Sequence, residues 1–340
     1  MTSVEGGLGL SETNAVFIVR SVGERTEQAC IASLAAAGVP EHSVRVVNEA
    51  PFSQALVRSF ELGVESGCKW TFCVDADMVF RGGAIATLLA RAETLGNSDL
   101  GLNSLILDKF TISIRTAGVH LYRSEHLPRA LELLRISSAS IRPETALKQA
   151  MAREGHAWHL LPFVSGVHDF EQGFEDIFRK SYVHANKHLL HLPRLLPLWR
   201  ELSVEDPDFR VAIEGAAFGI RERQSVTIDK RLKHVNEAWC SLGIAEKAPL
   251  QLKTLDPSAI DALLNGWALH NLEVHGVRAS RDRIVRANLE DDPGAMLALW
   301  QDINALIDTR GTPGALAYAA GAVFKGIGNS LQRAKSPLRR

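Results

Sequence analysis

The chain has 340 residues, of which 46% are hydrophobic and 23% charged, as is ordinary for a globular protein. Its formal net charge of −1 provides no overall field that attracts nucleic acid. We therefore expect no nucleic-acid partner, and we expect any ligand to be recognised at a local site. The length predicts about two domains.

The cysteines and the two termini bear on the compartment. Four cysteines are scattered without a Cys-x-x-Cys pair, which disfavours a disulfide framework or a thiolate zinc site and is typical of a reducing compartment. The beginning of the chain lacks the pattern of a signal peptide, and no apolar run approaches the ~20 residues that span a bilayer. We expect a cytoplasmic protein. The tail is basic (Lys325, Arg333, Lys335, Arg339 and Arg340) and predicts peripheral contact with the inner face of the cell membrane; a frayed end without a role is the alternative.

Strand and helix patterns alternate through the first half of the chain. Apolar, β-branched stretches predict buried strands at 15–21, 43–50 and 69–77, and segments with helical spacing follow them at 24–39, 53–67 and 82–95. This alternation is typical of a mainly parallel sheet covered by helices.

The later elements are less regular. We predict strands near 102–107, 118–123 and 155–166, a helix from about Pro128, and a long helix over 170–192. Beyond Pro193 strand signals become rare, and amphipathic patterns predict helices at 207–223, 227–242, 257–272 and 282–308. The sequence thus predicts an α/β domain over 1–195 and a helical region over 196–340.

Polar residues gather where the predicted strands end. In a parallel sheet the carboxyl ends of the strands meet at one edge, and ligands bind there. The residues at this edge are Arg20, Asn48, Glu49, Asp75 and Asp77.

The two aspartates of "CVDADMVF" admit three interpretations. A carboxylate pair at a strand end suits Mg²⁺ or Mn²⁺, which prefer oxygen ligands and neutralise a leaving diphosphate. "DADMV" also satisfies the pattern of haloacid-dehalogenase-type phosphatases, with Asp75 as nucleophile and Asp77 as acid/base. That nucleophile normally ends the first strand, however, and the acidic doublet that could complete such a site, in 289–294, lies in a polar helical setting. The third interpretation is a solvated acidic turn. Because two strand–helix units precede the aspartates, we interpret Met78 and Val79 as the chain leaving the sheet and not as part of a phosphatase motif.

The segments "FIVRSVGERTEQACIASL" and "VRVVNEAPFSQALVRSFELGVESGCKWTFCVDADMVFRGGAIATLL" resemble the start of a GT-A glycosyltransferase, close to family 2. The resemblance covers about 80 residues well and extends loosely to residue 190. It implies a Rossmann-like GT-A fold, a mixed, mainly parallel sheet with flanking helices, and a nucleotide-sugar donor. It also implies a place near the nucleotide for Arg20 and Glu24, and contact with the base or ribose for Asn48 and Glu49.

The same resemblance assigns the aspartates. Asp75 would touch the ribose or act through a metal-bound water, and Asp77 would ligate Mn²⁺ or Mg²⁺ directly. The second strand ends in "VNEA" where the family more usually has Asp-Asp or Asp-Asn, so a UDP- or GDP-linked donor stays open.

The second half of such a site is expected in "SGVHDFEQGFED" at 165–176. His168 is our candidate third metal ligand, and Asp169 or Glu171 our candidate general base toward an acceptor hydroxyl. The alternative is helix capping by these acids.

Further candidates come from two other segments. His120 and Tyr122 of "AGVHLYRSEHL" are expected to bind the acceptor, and strand alternation places Arg123 on the opposite face. His184, His188 and His191 share one helix face; we interpret them as a polar face rather than a zinc site.

Together these features predict a metal-dependent glycosyltransferase. It would transfer a sugar from a nucleotide-diphosphate donor to a saccharide or glycolipid acceptor in the synthesis of cell-surface polysaccharide or glycoconjugate. A nucleotidyltransferase, for which "RSVGERT" would be the phosphate loop, a dehalogenase-type phosphatase and a non-catalytic scaffold are the alternatives.

Overall fold

The computed structural model describes residues 14–136, 143–222, 232–251 and 255–265. The strands are β1 (Ala15–Arg20), β2 (Val44–Val47), β3 (Trp70–Asp75), β4 (Met78–Phe80), β5 (Gly101–Asp108), β6 (Ser113–Arg115), β7 (Val119–Arg123) and β8 (Trp158–His168). The α-helices are α1 (Glu27–Ala36), α2 (Phe52–Glu65), α3 (Ala84–Glu93), α4 (Leu127–Ile136), α5 (Pro143–Arg153), α6 (Phe174–Lys187), α7 (Leu192–Leu202), α8 (Pro207–Arg221) and α9 (Lys233–Ser241). A further helical segment covers 257–265.

The strands form one mixed sheet in the order β2-β1-β3-β7-β5-β8-β4, with β6 beside β5. β1 is parallel to β2 and β3, and β5 is parallel to β8. β7 runs antiparallel between β3 and β5, and β4 runs antiparallel to β8. The fold is therefore mixed α/β and compatible with a Rossmann-like fold. The expected predominance of parallel pairing is only partly confirmed, because β7 and β4 reverse the direction of the chain.

The connection from β3 to β4 shows that the sheet is curled. Only Ala76 and Asp77 separate the two strands, although β7, β5 and β8 lie between them in the sheet order. Strands lie ~4.8 Å apart, so a flat sheet would hold β3 and β4 ~19 Å apart. Three peptide units reach at most ~11 Å. The prediction that the chain leaves the sheet at Met78 and Val79 is therefore wrong, because these residues begin a strand that closes the curl.

The sheet has apolar layers on both faces. Phe72 and Val74 of β3 pack in the cluster that contains Leu34 of α1 and Leu88 of α3. Cys73, which points to the other face, packs with residues of α2 and α4. Burial on both faces explains why β3 is an almost continuous apolar run that ends abruptly in a carboxylate.

Most of the predicted elements are present, and some further elements were not predicted. The sequence predicted neither β4 nor β6, because three residues are too few to show a periodicity, and it predicted neither α5 nor α7. The predicted helix 257–272 is described as far as 265. The predicted helix 282–308, the acidic doublet within 289–294 and the basic tail lie outside the described residues.

The chain divides into two compact units. Within the described ranges, the first comprises 14–136, 143–173, 247–251 and 255–265, and the second comprises 174–222 and 232–246. The change comes at Gly173, before the boundary at 195 that the sequence suggested. Across the ranges described, no helix combines the length and apolar character needed to cross a bilayer.

In the first unit, 255–265 packs on a face of the sheet, over β4, β8 and β5. Leu255, Ile260 and Leu264 join Val79 of β4 and Val167 of β8 in one apolar cluster.

In the second unit, α6 and α8 cross at very short range. A Cβ atom on Gly215 would lie 2.2 Å from the main-chain oxygen of Phe178, and one on Gly219 would lie 2.6 Å from that of Tyr182. These two glycines on α8 therefore permit a backbone approach that larger residues would prevent.

Candidate metal centre

The Asp-Ala-Asp turn lies where β1, β3, β4 and β8 come together. Arg20, the last residue of β1, is the register partner of Asp75, the last residue of β3. In the antiparallel pair of β4 and β8, Met78 is opposite His168. The main-chain N–H of Asp169 donates to the main-chain oxygen of Asp77 at 3.1 Å. Strand pairing thus places His168 and Asp169 directly against Asp77.

Three potential ligands converge at this point. One ligand atom each from Asp75, Asp77 and His168 lies within 4.8 Å of the other two. The Nε2 atom of His168 is 3.4 Å from Oδ1 of Asp77. The side chains of Asp77 and His168 are buried, whereas that of Asp75 is 30% exposed. The cluster therefore has a buried side and an open side.

The other ring nitrogen of His168 is occupied by carboxylates. Nδ1 lies 3.0 Å from Oδ2 of Asp108 and 3.1 Å from Oδ2 of Asp169. Asp108 is itself held by the main-chain N–H of Thr111 at 2.7 Å and by Nε of Arg115 at 2.9 Å. These contacts fix the ring so that Nε2 faces Asp77.

The charges in this cluster are strongly coupled. Burial alone would lower the pKa of His168, but the carboxylates of Asp169 and Asp77, together with the hydrogen bond to Asp108, raise it well above its usual value. Burial would raise the pKa of Asp108, but Arg115 and His168 hold it well below its usual range. The carboxylates around His168 therefore favour its cationic form.

These residues fit a divalent cation. Two carboxylates and an imidazole nitrogen suit Mn²⁺, and carboxylates suit Mg²⁺. A histidine whose second nitrogen donates to a carboxylate is the usual arrangement around protein-bound metals. Asp108, His168 and Asp169 also bring ligand atoms within 4.8 Å of one another. All three members of this second group are buried, whereas Asp75 is partly exposed, so the group that contains Asp75 and Asp77 is the one open to a ligand and the better candidate.

Arg20 connects this centre to a second cluster. Its Nε atom donates to Asp75 at 2.9 Å, and its Nη1 atom donates to Oε1 of Glu144 at 2.8 Å. Burial raises the pKa of Asp75, and the positive charge of Arg20 lowers it. The negative charges of Asp77 and Glu144 add to the effect of burial, so that the pKa of Asp75 is raised to about 6. Arg20 thus contacts Asp75, one of the candidate metal ligands, directly.

Glu144 is a residue that the sequence reasoning missed. Its Oε1 atom accepts from the hydroxyl of Tyr122 at 3.1 Å and lies 3.2 Å from Nδ1 of His120. Arg123 bonds instead to main-chain oxygens of Leu95 and Gly96, so the predicted alternation along β7 is confirmed. An acid in the first turn of a helix ordinarily indicates only dipole compensation, so this contact could not be predicted from the sequence.

The other residues predicted near the nucleotide, Glu24, Asn48 and Glu49, also follow the ends of strands, but they differ in their contacts and exposure. The carboxylate of Glu24 accepts from the main-chain N–H of Val22 at 2.7 Å and from the hydroxyl of Ser21 at 3.0 Å, which shapes the loop after β1. Asn48 and Glu49 follow β2 and are exposed.

Comparison with known proteins finds no matching family model and no matching curated protein. The functional argument therefore rests on the geometry of the site.

The two candidate bases differ in their contacts. Asp169 is buried beside His168, whereas the carboxylate of Glu171 is 37% exposed and pairs with Nη1 of Arg25 at 3.1 Å. Both residues have positive φ, 64° and 60°, a conformation that is uncommon for residues other than glycine. Because α6 begins only at Phe174, Asp169 is not its N-cap.

The three histidines of the second unit lie close together. The ring centroids of His184, His188 and His191 are separated by 5.0 to 5.8 Å. Among the described residues, however, the groups whose ligand atoms converge are the two that share His168. The three do not share one helix face as predicted, because α6 ends at Lys187 and His191 lies in a separate short helical turn over Leu189–His191.

Proposed function

We propose that this protein is a metal-dependent glycosyltransferase. It transfers a sugar from a UDP- or GDP-linked donor to a hydroxyl group of a saccharide or glycolipid acceptor, in the synthesis of cell-surface polysaccharide or glycoconjugate. The observation that carries the proposal is the convergence of Asp75, Asp77 and His168 at the carboxyl ends of β3 and β8. Ligands of α/β proteins bind at this edge of the sheet.

On the donor side, the residues bind and orient. A bound Mn²⁺ or Mg²⁺ would supply positive charge for the diphosphate that leaves. Asp77 and His168 would hold the ion from the buried side, while the partly exposed Asp75 would face the ribose and ion from the open side. Arg20 keeps Asp75 in place, and Glu24, Asn48 and Glu49 line the neighbouring strand ends.

On the acceptor side, we assign His120 and Glu144. Tyr122 has no exposed surface, so the predicted direct contact with the acceptor is not supported and Tyr122 would act through Glu144, to which its hydroxyl donates. Of the two candidate bases, Glu171 is better supported, because a base must be accessible to the acceptor and the carboxylate of Asp169 is engaged with His168. Arg25 would orient the carboxylate of Glu171.

The test is a thermal-shift screen of UDP- and GDP-sugars, with and without Mn²⁺, on the wild type and on Asp77→Asn. We expect one nucleotide diphosphate sugar to raise the melting temperature only when Mn²⁺ is present, and Asp77→Asn to abolish that rise. Glu65→Gln, which alters an exposed acid of α2, should behave as wild type.

Two results would contradict the proposal. One is the absence of any metal-dependent stabilisation by nucleotide sugars. The other is release of phosphate from small phosphoesters that is lost in Asp75→Asn, which would favour the phosphatase.

A further inference from the structure

Two successive hydrogen bonds tie the Asp-Ala-Asp turn to the loop that follows β8. The hydroxyl of Thr26 donates to the main-chain oxygen of Ala76 at 2.9 Å. The side-chain amide of Gln172 donates to the hydroxyl of Thr26 at 2.8 Å. Thr26 and Gln172 are both 0% exposed. Ala76 is the residue between the two aspartates, so the contact reaches the centre of the motif.

Thr26 lies at the start of α1, but its hydroxyl does not cap that helix. It is the N-cap residue of α1, and a threonine there ordinarily accepts a hydrogen bond from an N–H of the first helical turn. The side chain of Thr26 makes no such bond. Its hydroxyl is directed to Ala76 instead, so the first turn of α1 forgoes a cap that typically stabilises a helix.

The orientation of Gln172 follows from the same contact. A hydroxyl has one proton, and Thr26 gives it to the oxygen of Ala76. Gln172 must therefore present Nε2 to Thr26, which leaves its Oε1 atom buried with no hydrogen-bond partner in the described part of the chain. A side chain that only filled space would avoid this cost, since an apolar group of similar shape would not carry it.

The loop that Gln172 anchors directly follows His168 of the candidate centre. It begins after His168 and contains Asp169 and Glu171, whose positive φ angles are held only if the surrounding structure determines them. Arg25, the neighbour of Thr26, donates to the main-chain oxygen of Glu171 at 2.7 Å. The loop after β1 is therefore hydrogen-bonded to the loop after β8 at two consecutive positions, Arg25 with Glu171 and Thr26 with Gln172.

We propose that Thr26 and Gln172 are positioning residues of the metal centre. By fixing the Ala76 peptide, Thr26 sets the direction in which Asp77 leaves the turn, and Gln172 joins that turn to the loop that follows His168 and carries Asp169. This inference rests on the proposed function, because it takes Asp77 and His168 as ligands of the ion. Neither residue touches the ion or the substrate, so both act through the ligands.

The experiment measures binding of Mn²⁺ alone to the full chain, by electron paramagnetic resonance of the free and the bound ion. We expect Thr26→Val to weaken binding by about tenfold or more and to alter the spectrum of the bound ion, as loss of an outer contact does at other metal sites. Thr26→Ser, which restores the hydroxyl, should bind as wild type. Gln172→Met should weaken binding in the same direction.

The matched control is Thr71→Val. Thr71 is also 0% exposed and lies on β3, but its hydroxyl pairs with Ser124 at 2.8 Å, away from the turn. It should lose stability as Thr26→Val does and keep the affinity and spectrum of the wild type. This separates positioning of the ligands from general destabilisation. If Thr26→Val does not fold, Gln172→Met and the control decide the question.

Each outcome is informative. Wild-type affinity in Thr26→Val and Gln172→Met, when the wild type binds Mn²⁺, overturns the positioning role and leaves the proposed function standing. Equal weakening in Thr71→Val also overturns it. A wild-type chain that binds no Mn²⁺ overturns the metal centre and the inference together.

Discussion

Arg20 is a buried cation with two anionic partners, Asp75 in the Asp-Ala-Asp turn and Glu144 on α5. Removing one partner of a buried ion pair leaves the other charge uncompensated, which is strongly destabilising. Glu144 should therefore matter for the stability of the site and not only for its chemistry. His120 and Tyr122 reinforce the same carboxylate from β7.

This arrangement predicts a pH dependence of stability. Burial alone would raise the pKa of Glu144, but Arg20, His120 and Lys148 hold it well below its usual value of 4.5. The folded state therefore binds fewer protons there than the unfolded state, so the stabilisation is present above about pH 4.5 and is lost as the pH falls below it.

The comparison is Glu144→Gln against wild type, by urea unfolding followed by circular dichroism. We expect the variant to be less stable at pH 7, and its free energy of unfolding to change less than that of wild type between about pH 5 and pH 3. Glu132→Gln, which changes an exposed acid of α4, should give a curve parallel to wild type. A parallel curve for Glu144→Gln would refute the role of this carboxylate.

Asp108 is predicted to control metal affinity without contacting the ion. It holds Nδ1 of His168 and so directs Nε2 toward Asp77. We expect Asp108→Asn to weaken Mn²⁺ binding about ten- to a hundredfold in calorimetric titration, because a neutral amide supports the imidazole less well. Ser113→Ala, on the neighbouring β6, should bind normally. Undiminished affinity in Asp108→Asn would exclude this role.

At the level of elements, the contact between β4 and β8 depends on Gly166. A Cβ atom there would lie 2.2 Å from the main-chain oxygen of Val79 and 3.0 Å from Cα of Phe80. We expect Gly166→Ala to lower the free energy of unfolding by about 1–3 kcal/mol, because β4 must move away from β8. Mn²⁺ affinity should fall as well, since the same pairing places His168 beside Asp77.

The control for this prediction is Gly82→Ala. The nearest atom to a Cβ on Gly82 is Oδ2 of Asp261 at 4.0 Å, so the substitution meets open space. Urea unfolding and Mn²⁺ titration of both variants provide the comparison. Equal behaviour of the two would show that β4 tolerates displacement.

At the scale of the whole molecule, the sequence could predict those features of the fold and the site that depend on a local pattern of residues. The apolar runs that end in Arg20 and Asp75 predicted two strand ends at one edge, and the register of β1 with β3 places these residues side by side. His168 was predicted from its position after a late strand. Its contact with Asp77 depends on the pairing of β4, which three residues could not reveal.

Contacts that join distant segments were beyond the sequence for the same reason. Glu144 reaches Arg20 only because α5 packs over β7, and Thr26 reaches Ala76 only because the loop after β1 lies against the turn. No spacing within a single segment encodes such a contact. Alternation along β7, by contrast, is a local property and correctly separated His120 and Tyr122 from Arg123.

The closure of the curled sheet has a consequence for the order of folding. A growing chain that has completed β3 already holds Asp75 and Asp77, but β8, which must pair with β4, has yet to be synthesised. Pairing across so long a stretch is costly in loop entropy and forms late. Under the proposed function, a divalent ion would find its ligands assembled only in the closed sheet and would stabilise that state alone by mass action. Metal occupancy would then report that folding of the first unit is complete.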